Sequence, residues 1–410
     1  PAEETEILEI FPSVSAIHHA LRHGRRWMRP QKHWASLWFL PARTALRPQP
    51  VGVVGIISPW NYPLYLTAVP LADALAAGNR AMIKLSEFTP KFSGLFAELV
   101  SRAFRDDEVV VVNGDAEVGH AFSSLPFDHL LFTGSTGVGR DVMKAAAANL
   151  TPVTLELGGK SPALIGPNVR FEHAVERILL GKLLNAGQTC VAPDYVLLPR
   201  AQMTAFIEQA RRVANRLYPG LPANPQYASI ASERHHARLL ALRDDAVAAG
   251  ARVHPLGTSD GDPEARILTP VLISNVHDGM QVMQQEIFGP LLPLMPYDTL
   301  DGALEYIAGH PHPLALYVFE QDRITIDRIL ARTQAGGVTV NDTIVHLGQH
   351  RLPFGGAGAS GMGAYHGETG FRTFSHMKPV MYQARWNAVG LLNPPYGRLT
   401  RTLIKVLTRR

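Results

Sequence analysis

Strand-like and helix-like segments alternate along most of this chain, and that alternation restricts the possible folds more than any other feature. From Gly52 the order is VGVVGIIS, a helical pattern over about Leu64–Ala77, RAMIKL, a helix near Pro90–Phe104, VVVVNG, and LLFTG ahead of another helix. These strands are apolar at successive positions, so both faces of their sheet must be covered, as in a parallel sheet flanked by helices. A second series runs from Val153 to about Val340: VTLEL, SPALIG, a helix near Phe171–Asn185, DYVLLP, a helix over Gln202–Leu217, and VTVND. The pattern predicts two α/β domains. A chain of 410 residues is long enough to bury two or three separate cores.

The flanking segments read differently. Between Glu3 and Met28, the residues Ile7, Ile10, Phe11, Val14, Ile17, Leu21 and Trp27 recur every three or four positions, which predicts an amphipathic helix that docks by this stripe. Residues Trp34–Arg47 are Pro-interrupted and rich in bulky apolar groups, the pattern of edge strands. LPFGGAGASGMGAYHGETG is too rich in glycine for regular structure and is expected to fold over as a loop or lid. The C-terminal RLTRTLIKVLTRR reads as a solvated helix or tail, with contact to an anionic membrane as the alternative. Prolines, Asn61 and Asp73 break the longest apolar candidate, so no segment has the ~18 uninterrupted apolar residues of a membrane span, and no membrane partner is expected. The net charge of +4 is concentrated near Arg22–Lys32 and Arg398–Arg410 rather than in a stripe through the body, which argues against nucleic acid as a partner. Cys190 is the only cysteine, so no internal disulfide can form and a reducing, cytoplasmic setting is expected. The chain begins at Pro1 rather than Met, and residues upstream are expected to be missing.

Several residues could carry chemistry. Cys190 lies in NAGQTCVAP between a helix and a strand, where Gly187, Gln188 and Thr189 form a polar turn whose N–H groups can face a reacting oxygen. A nucleophile needs a base, and no histidine is near in sequence; a plain buried thiol needs none. Glu156 in VTLELGGKSP sits in an otherwise apolar strand. Buried, its pKa would rise toward that of a working base; facing outward, it is an ordinary strand glutamate. Asn61, between Pro59 and Pro63 in SPWNYP, is held stiffly enough to donate to an oxyanion, or else is a turn residue. After LLFTG, a run from Gly134 and Ser135 to Gly139 opens a helix whose first N–H groups suit a pyrophosphate, in a G-x-x-G-x-G spacing unlike the usual dinucleotide fingerprint. Lys84 and Glu87, just past RAMIKL, lie where an α/β sheet ends and suit ribose hydroxyls, or are solvated charges. His346 and His350 have one-turn spacing, but Gly348 between them and the lack of an acidic partner argue against a metal site. The pairs His18–His19 and His235–His236 read as surface features.

SPWNYP, Lys84-x-Ser86-Glu87, FTGSTGVG, LELGGKSP, GQTC, QEIFGP and LPFGGAGASGMG occur in the order found in the aldehyde dehydrogenase superfamily, and together they resemble it over roughly Pro48–Arg385. GQTCVAPDY, HPLALYVF and GMGAYHGETGFRTFSH resemble its class 3 branch and, within that, the group of bacterial coniferyl aldehyde dehydrogenases. The resemblance implies an α/β fold of two Rossmann-like parallel-sheet domains plus a small β bridging element. Residues 1–29 and 50–157 would bind the cofactor, in an N-terminally truncated domain, and 158–357 would be catalytic. Residues 30–49 and 375–385 would bridge to a second subunit in a homodimer, leaving 386–410 as a tail. It also implies that Cys190 attacks the aldehyde, that Asn61 and the Cys190 N–H hold the oxyanion, that hydride passes to NAD or NADP, and that Glu156 activates the water that hydrolyses the thioester. Lys84 and Glu87 would contact the adenosine ribose, Gly134 and Ser135 would lie at the pyrophosphate, and Glu286 with Phe288 would position the nicotinamide ribose and ring. The branch also implies an aromatic or phenylpropenyl aldehyde as substrate; Tyr62 and Tyr65 follow Asn61 at a spacing that would set their rings along the entrance to Cys190 for it, or else they pack against neighbouring helices. Relatives usually carry proline where this chain has Leu85, which implies a looser adenine-side turn. The competing readings are oxidation of medium- or long-chain aliphatic aldehydes, a thiol esterase or acyl transferase with no redox step, and a non-enzymatic binding protein.

Overall fold

A computed structural model describes residues 1–387 and 389–408. The alternating segments form two separate, mainly parallel sheets. The first has six strands in the order Gly361–Met362, Val153–Glu156, His129–Thr133, Val53–Ile57, Arg80–Lys84 and Val109–Val112, with only Gly361–Met362 antiparallel. The second has seven, in the order Arg252–Pro255, Val271–Ser274, Leu291–Tyr297, Tyr195–Pro199, Pro162–Ile165, Ala315–Phe319 and Gly337–Val340, with Arg252–Pro255 antiparallel at one edge. Val54, Ile56, Leu130, Leu131, Leu164 and Val196 are wholly buried, as strands covered on both faces must be.

VTLEL therefore closes the first sheet instead of opening the second: Glu156 lies opposite Thr133 in the parallel pair. On its other side Glu156 lies opposite Gly361. The glycine-rich stretch is thus no lid. Residues 358–374, left outside the expected domains, return to the first sheet through Gly361–Met362 and then open a helix, Gly367–Thr373. A third, antiparallel sheet joins Gln31–His33, Arg43–Pro50 and Ser375–Tyr382. Within the expected edge-strand region, Leu37–Phe39 is a short 3-10 turn with its side chains exposed.

The N-terminal helix runs from Ala2 to Trp27, with a wider π turn at Glu6–Ile10. Its extent matches the periodicity, but its buried face does not. Ile7, Phe11, Val14 and Leu21 are exposed, whereas Ser13, Ala16, Ala20, Gly24 and Trp27 are buried. This helix packs against Tyr65–Ala76, which presents Leu, Val and Pro side chains. Small residues let the two axes approach closely, so they take most of the contact, and of the bulky stripe only Trp27 is buried. Past the third sheet, Arg398–Leu407 forms a helix. Ala388, Arg409 and Arg410 of the expected tail lie outside the described residues. Among the described residues no helix is long and apolar enough to cross a membrane.

Candidate active site

Three consecutive residues in the left-handed region, Asn185 (φ 50°), Ala186 (φ 52°) and Gly187 (φ 74°), swing the chain from the helix Phe171–Leu183 towards Cys190. A Cβ on Gly187 would lie 2.4 Å from the Gly289 carbonyl oxygen, so only glycine fits there. Left-handed backbone costs on the order of 1 kcal/mol at each non-glycine residue, and the surroundings must hold it. Glu4 accepts the Asn185 N–H at 3.1 Å. The Gln188 amide donates to the carbonyls of Asn185 and Ser229, both at 3.0 Å, and accepts from the Ala231 N–H at 2.9 Å. Asn61 Nδ2 donates to the Gln188 carbonyl at 3.2 Å, and the Asn61 carbonyl accepts from Asn185 Nδ2 at 3.3 Å. The SPWNYP turn is thereby tied to the cysteine loop, and one Asn61 amide hydrogen stays available.

Two cavities meet at Cys190. One, of about 530 Å³, is lined by Trp60, Asn61, Gly134, Glu156, Glu286 and Phe288 among others. The other, of about 320 Å³, is lined by Phe11, Tyr62, Tyr65, Leu66, Ile344 and Leu347 among others. Cys190 belongs to both walls. Burial first, and then the nearby Glu286 and Glu156 carboxylates, push its thiol up to about 12, against the pull of the Cys190 and Val191 N–H groups. Glu156 is only 2 % exposed, and neither carboxyl oxygen has a hydrogen-bond partner. Burial alone holds it well above the ordinary carboxylate range. Glu286 is pushed up to about 8 by burial and then by the Asp194 charge. Asp194 is ion-paired with Lys160 and accepts the Ile287 N–H at 2.9 Å, which fixes the loop that carries Glu286 between the helix Gln281–Gln284 and the strand Leu291–Tyr297.

The larger cavity fits a nicotinamide dinucleotide. No side chain caps the helix Thr136–Ala147, whose first turn opens on the cavity at Ser135, Thr136 and Gly137. A Cβ on Gly137 would meet nothing within 4 Å, whereas one on Gly158 would fall 1.9 Å from a Glu286 oxygen. Trp60 and Phe288, ring centroids 5.4 Å apart, supply flat walls. Other expected cofactor residues are placed differently. The Gly134 N–H is not free, because it donates to the Glu156 carbonyl at 3.0 Å. A Cβ on Gly139 would strike Leu157 at 2.5 Å, so this glycine lets helix pack on strand and does not line the cavity. Lys84 and Glu87 also lie outside its lining. Lys84 Nζ donates to the Gly114 carbonyl at 2.8 Å and pairs with Glu87 at 3.5 Å. Lys84 does end a parallel strand, in register with Ile57, and Glu87 follows three residues on, where nucleotides bind such sheets. Leu85 is buried in the core, so the turn after Lys84 is anchored rather than loosened.

Tyr62 and Tyr65 both line the smaller cavity. The Tyr62 hydroxyl shares a 2.6 Å hydrogen bond with Thr189 Oγ1, and the Tyr65 hydroxyl donates to the Leu347 carbonyl at 3.1 Å. The pair His235–His236 is not a surface feature: His235 lines the larger cavity, 5.2 Å from the Trp60 ring, and His236 is buried. On the same helix, Glu233–Ala248, Arg238 donates to the Glu286 carbonyl at 3.1 Å and to the Ile287 carbonyl. Sequence reasoning missed this support because a helix rich in His and Arg reads as a solvated one. Among the described residues no group of three or more His, Cys, Asp or Glu is placed to hold a metal ion.

A thiol reached from a nucleotide-sized cavity on one side and an apolar one on the other is the layout of a dehydrogenase that works through a covalent adduct. The sequence pattern of the aldehyde dehydrogenase family matches residues 1–380, and the chain belongs to that family, whose members oxidise aldehydes with NAD or NADP. It is 51 % identical over 403 residues to a "Probable coniferyl aldehyde dehydrogenase" of Pseudomonas aeruginosa, covering 98 % of this chain and 84 % of the relative. It is 47 % identical over 409 residues to the coniferyl aldehyde dehydrogenase of a Pseudomonas species, covering 99 % of this chain and 85 % of the relative. The substrate-bound structure of Staphylococcus aureus AldH superposes with a TM-score of 0.94 at 37 % identity, over 99 % of this chain and 87 % of that one.

Proposed function

We propose that this enzyme oxidises aromatic or phenylpropenyl aldehydes of the coniferyl kind to carboxylic acids, with NAD as oxidant and Cys190 as nucleophile. The observation that carries the reading is the position of Cys190 in the walls of both cavities, with the unpartnered Glu156 carboxyl in one of them. Cys190, its thiol proton lost to solvent, adds as the thiolate through Sγ to the aldehyde carbon. The oxyanion so formed takes hydrogen bonds from Asn61 Nδ2 and the Cys190 N–H. Bound NAD supplies the acceptor for the hydride that leaves the adduct. Cys190 then carries the acyl group as a thioester. Glu156 takes a proton from the attacking water, and the acid departs as the thiol is restored. Glu286 and Phe288 would hold the nicotinamide end, and Ser135 with the first turn of Thr136–Ala147 the pyrophosphate. Lys84 and Glu87 would face the adenosine ribose. A carboxylate there repels a 2′-phosphate, which favours NAD over NADP.

The relatives' names support the substrate class, and so do the rings of Phe11, Tyr62 and Tyr65 in the smaller cavity. Stacking on such rings contributes roughly 0.5–1.5 kcal/mol beyond area. We assign cofactor binding to 1–29 and 50–157, catalysis to 158–357, and pairing with a second copy to the third sheet. The test is a panel of aldehydes read by NADH formation. Coniferyl aldehyde should give a higher kcat/KM than hexanal, and Cys190→Ala should abolish turnover of both. The reverse order would sink the aromatic reading, and hydrolysis of an ester such as 4-nitrophenyl acetate with no NADH formed from any aldehyde would favour an esterase.

A further inference from the structure

The helix Arg398–Leu407 is used neither by the fold nor by the site above. Around its axis Leu399, Leu403, Ile404, Val406 and Leu407 fall on one side, and Arg398, Arg401, Thr402 and Lys405 on the other. The apolar side is open: Leu399 is 61 % and Val406 68 % exposed. The helix packs mainly on the turn Val389–Leu392, where Thr400 is buried and donates to the Leu391 carbonyl at 3.0 Å. A stripe of this kind standing in water marks a surface that something covers.

Charge selects the occupant. From Thr369 to Arg410 the chain has no Asp or Glu, while Arg398, Arg401, Lys405, Arg409 and Arg410 crowd its end. The same segment of a second copy is equally basic and would repel it. Trp386, 83 % exposed, and the exposed Tyr396 precede the helix, and such rings favour the headgroup level of a bilayer. We propose that Arg398–Leu407 lies flat on an anionic lipid surface, its apolar side at the acyl boundary and its Arg and Lys groups among the phosphates. The attachment is peripheral and independent of catalysis.

The test uses the whole chain and sedimentation with vesicles of phosphatidylcholine, alone or with about one-third phosphatidylglycerol. Binding is expected only with the anionic vesicles, weakening at about 0.5 M salt as surface charge is screened. Arg401→Glu with Lys405→Glu, and separately Ile404→Ser with Val406→Ser, should each lower partition by about tenfold or more. Both variants should turn over a soluble aldehyde such as benzaldehyde at the wild-type rate, which shows that they fold. Equal binding to neutral vesicles, no binding at all, or a dimer that falls to monomer in the Ile404→Ser, Val406→Ser variant would overturn the proposal.

Discussion

At neutral pH the Cys190 side chain of the free protein is a thiol, and its surroundings are the cause. Burial and two neighbouring carboxylates act in the same direction on it, and burial raises the Glu156 carboxyl above the ordinary carboxylate range as well. A raised thiol pKa means that the reactive thiolate gains population only as pH climbs. Alkylation of the free protein by iodoacetamide should therefore quicken about tenfold per pH unit from pH 7 to 10 without levelling off. Glu156→Gln removes one carboxylate from the thiol's surroundings and should move the rise to lower pH. A wild-type rate that levels off with a midpoint at or below pH 9 would contradict this account. At this scale the sequence was informative about identity and silent about partners. A carboxylate inside VTLEL stands out in the one-dimensional string. Its isolation does not, because it depends on Gly361 closing the other side of the strand from the far end of the chain.

The N-terminal helix joins two parts of the candidate site that the sequence separates widely. Glu9 accepts the N–H groups of Leu64 and Tyr65 at 2.6 and 3.3 Å, and so caps the helix Tyr65–Ala76, whose own Leu64 supplies no cap. Glu4 accepts the Asn185 N–H and the Tyr218 hydroxyl, each at 3.1 Å, and braces the left-handed turn before Cys190. Glu4→Ala strands both donors and should cost ~1–3 kcal/mol in urea unfolding, with kcat/KM falling several-fold as the cysteine loop loosens. Glu4→Gln keeps an acceptor and should recover most of both. An alanine variant with unaltered stability and turnover would remove Glu4 from this positioning role. Periodicity located this helix and its length, yet it assigned the wrong face. A hydrophobic period marks a stripe, and whether that stripe or the small-residue stripe beside it is buried depends on the neighbour, here Tyr65–Ala76. The same limit hid Arg238, whose partners are carbonyls that carry no signature in sequence.

The third sheet ends in Ser375–Tyr382, which is paired on one side only among the described residues. Beside that sheet, Trp34 is 97 %, Leu37 72 % and Trp38 56 % exposed. An open strand edge next to bulky apolar groups suits a second copy, because pairing satisfies the edge and covers the patch together. Light scattering on a size-exclusion column should give a dimer of the 44.8 kDa chain, and Leu37→Asp with Trp38→Asp should give monomers of the same fold. A wild-type monomer at about 10 µM would count against this interface. A last consequence concerns the sulphur that both cavities share. Cys190 and Leu66 line both cavities, so on the reading proposed above the aldehyde and the nucleotide approach the sulphur from different sides. Ile7, Phe11 and Ile344 line only the smaller cavity, so on that reading enlarging it there should change the aldehyde preference and leave nucleotide binding unchanged. The choice of fuel and the choice of oxidant are two independent dials on one machine.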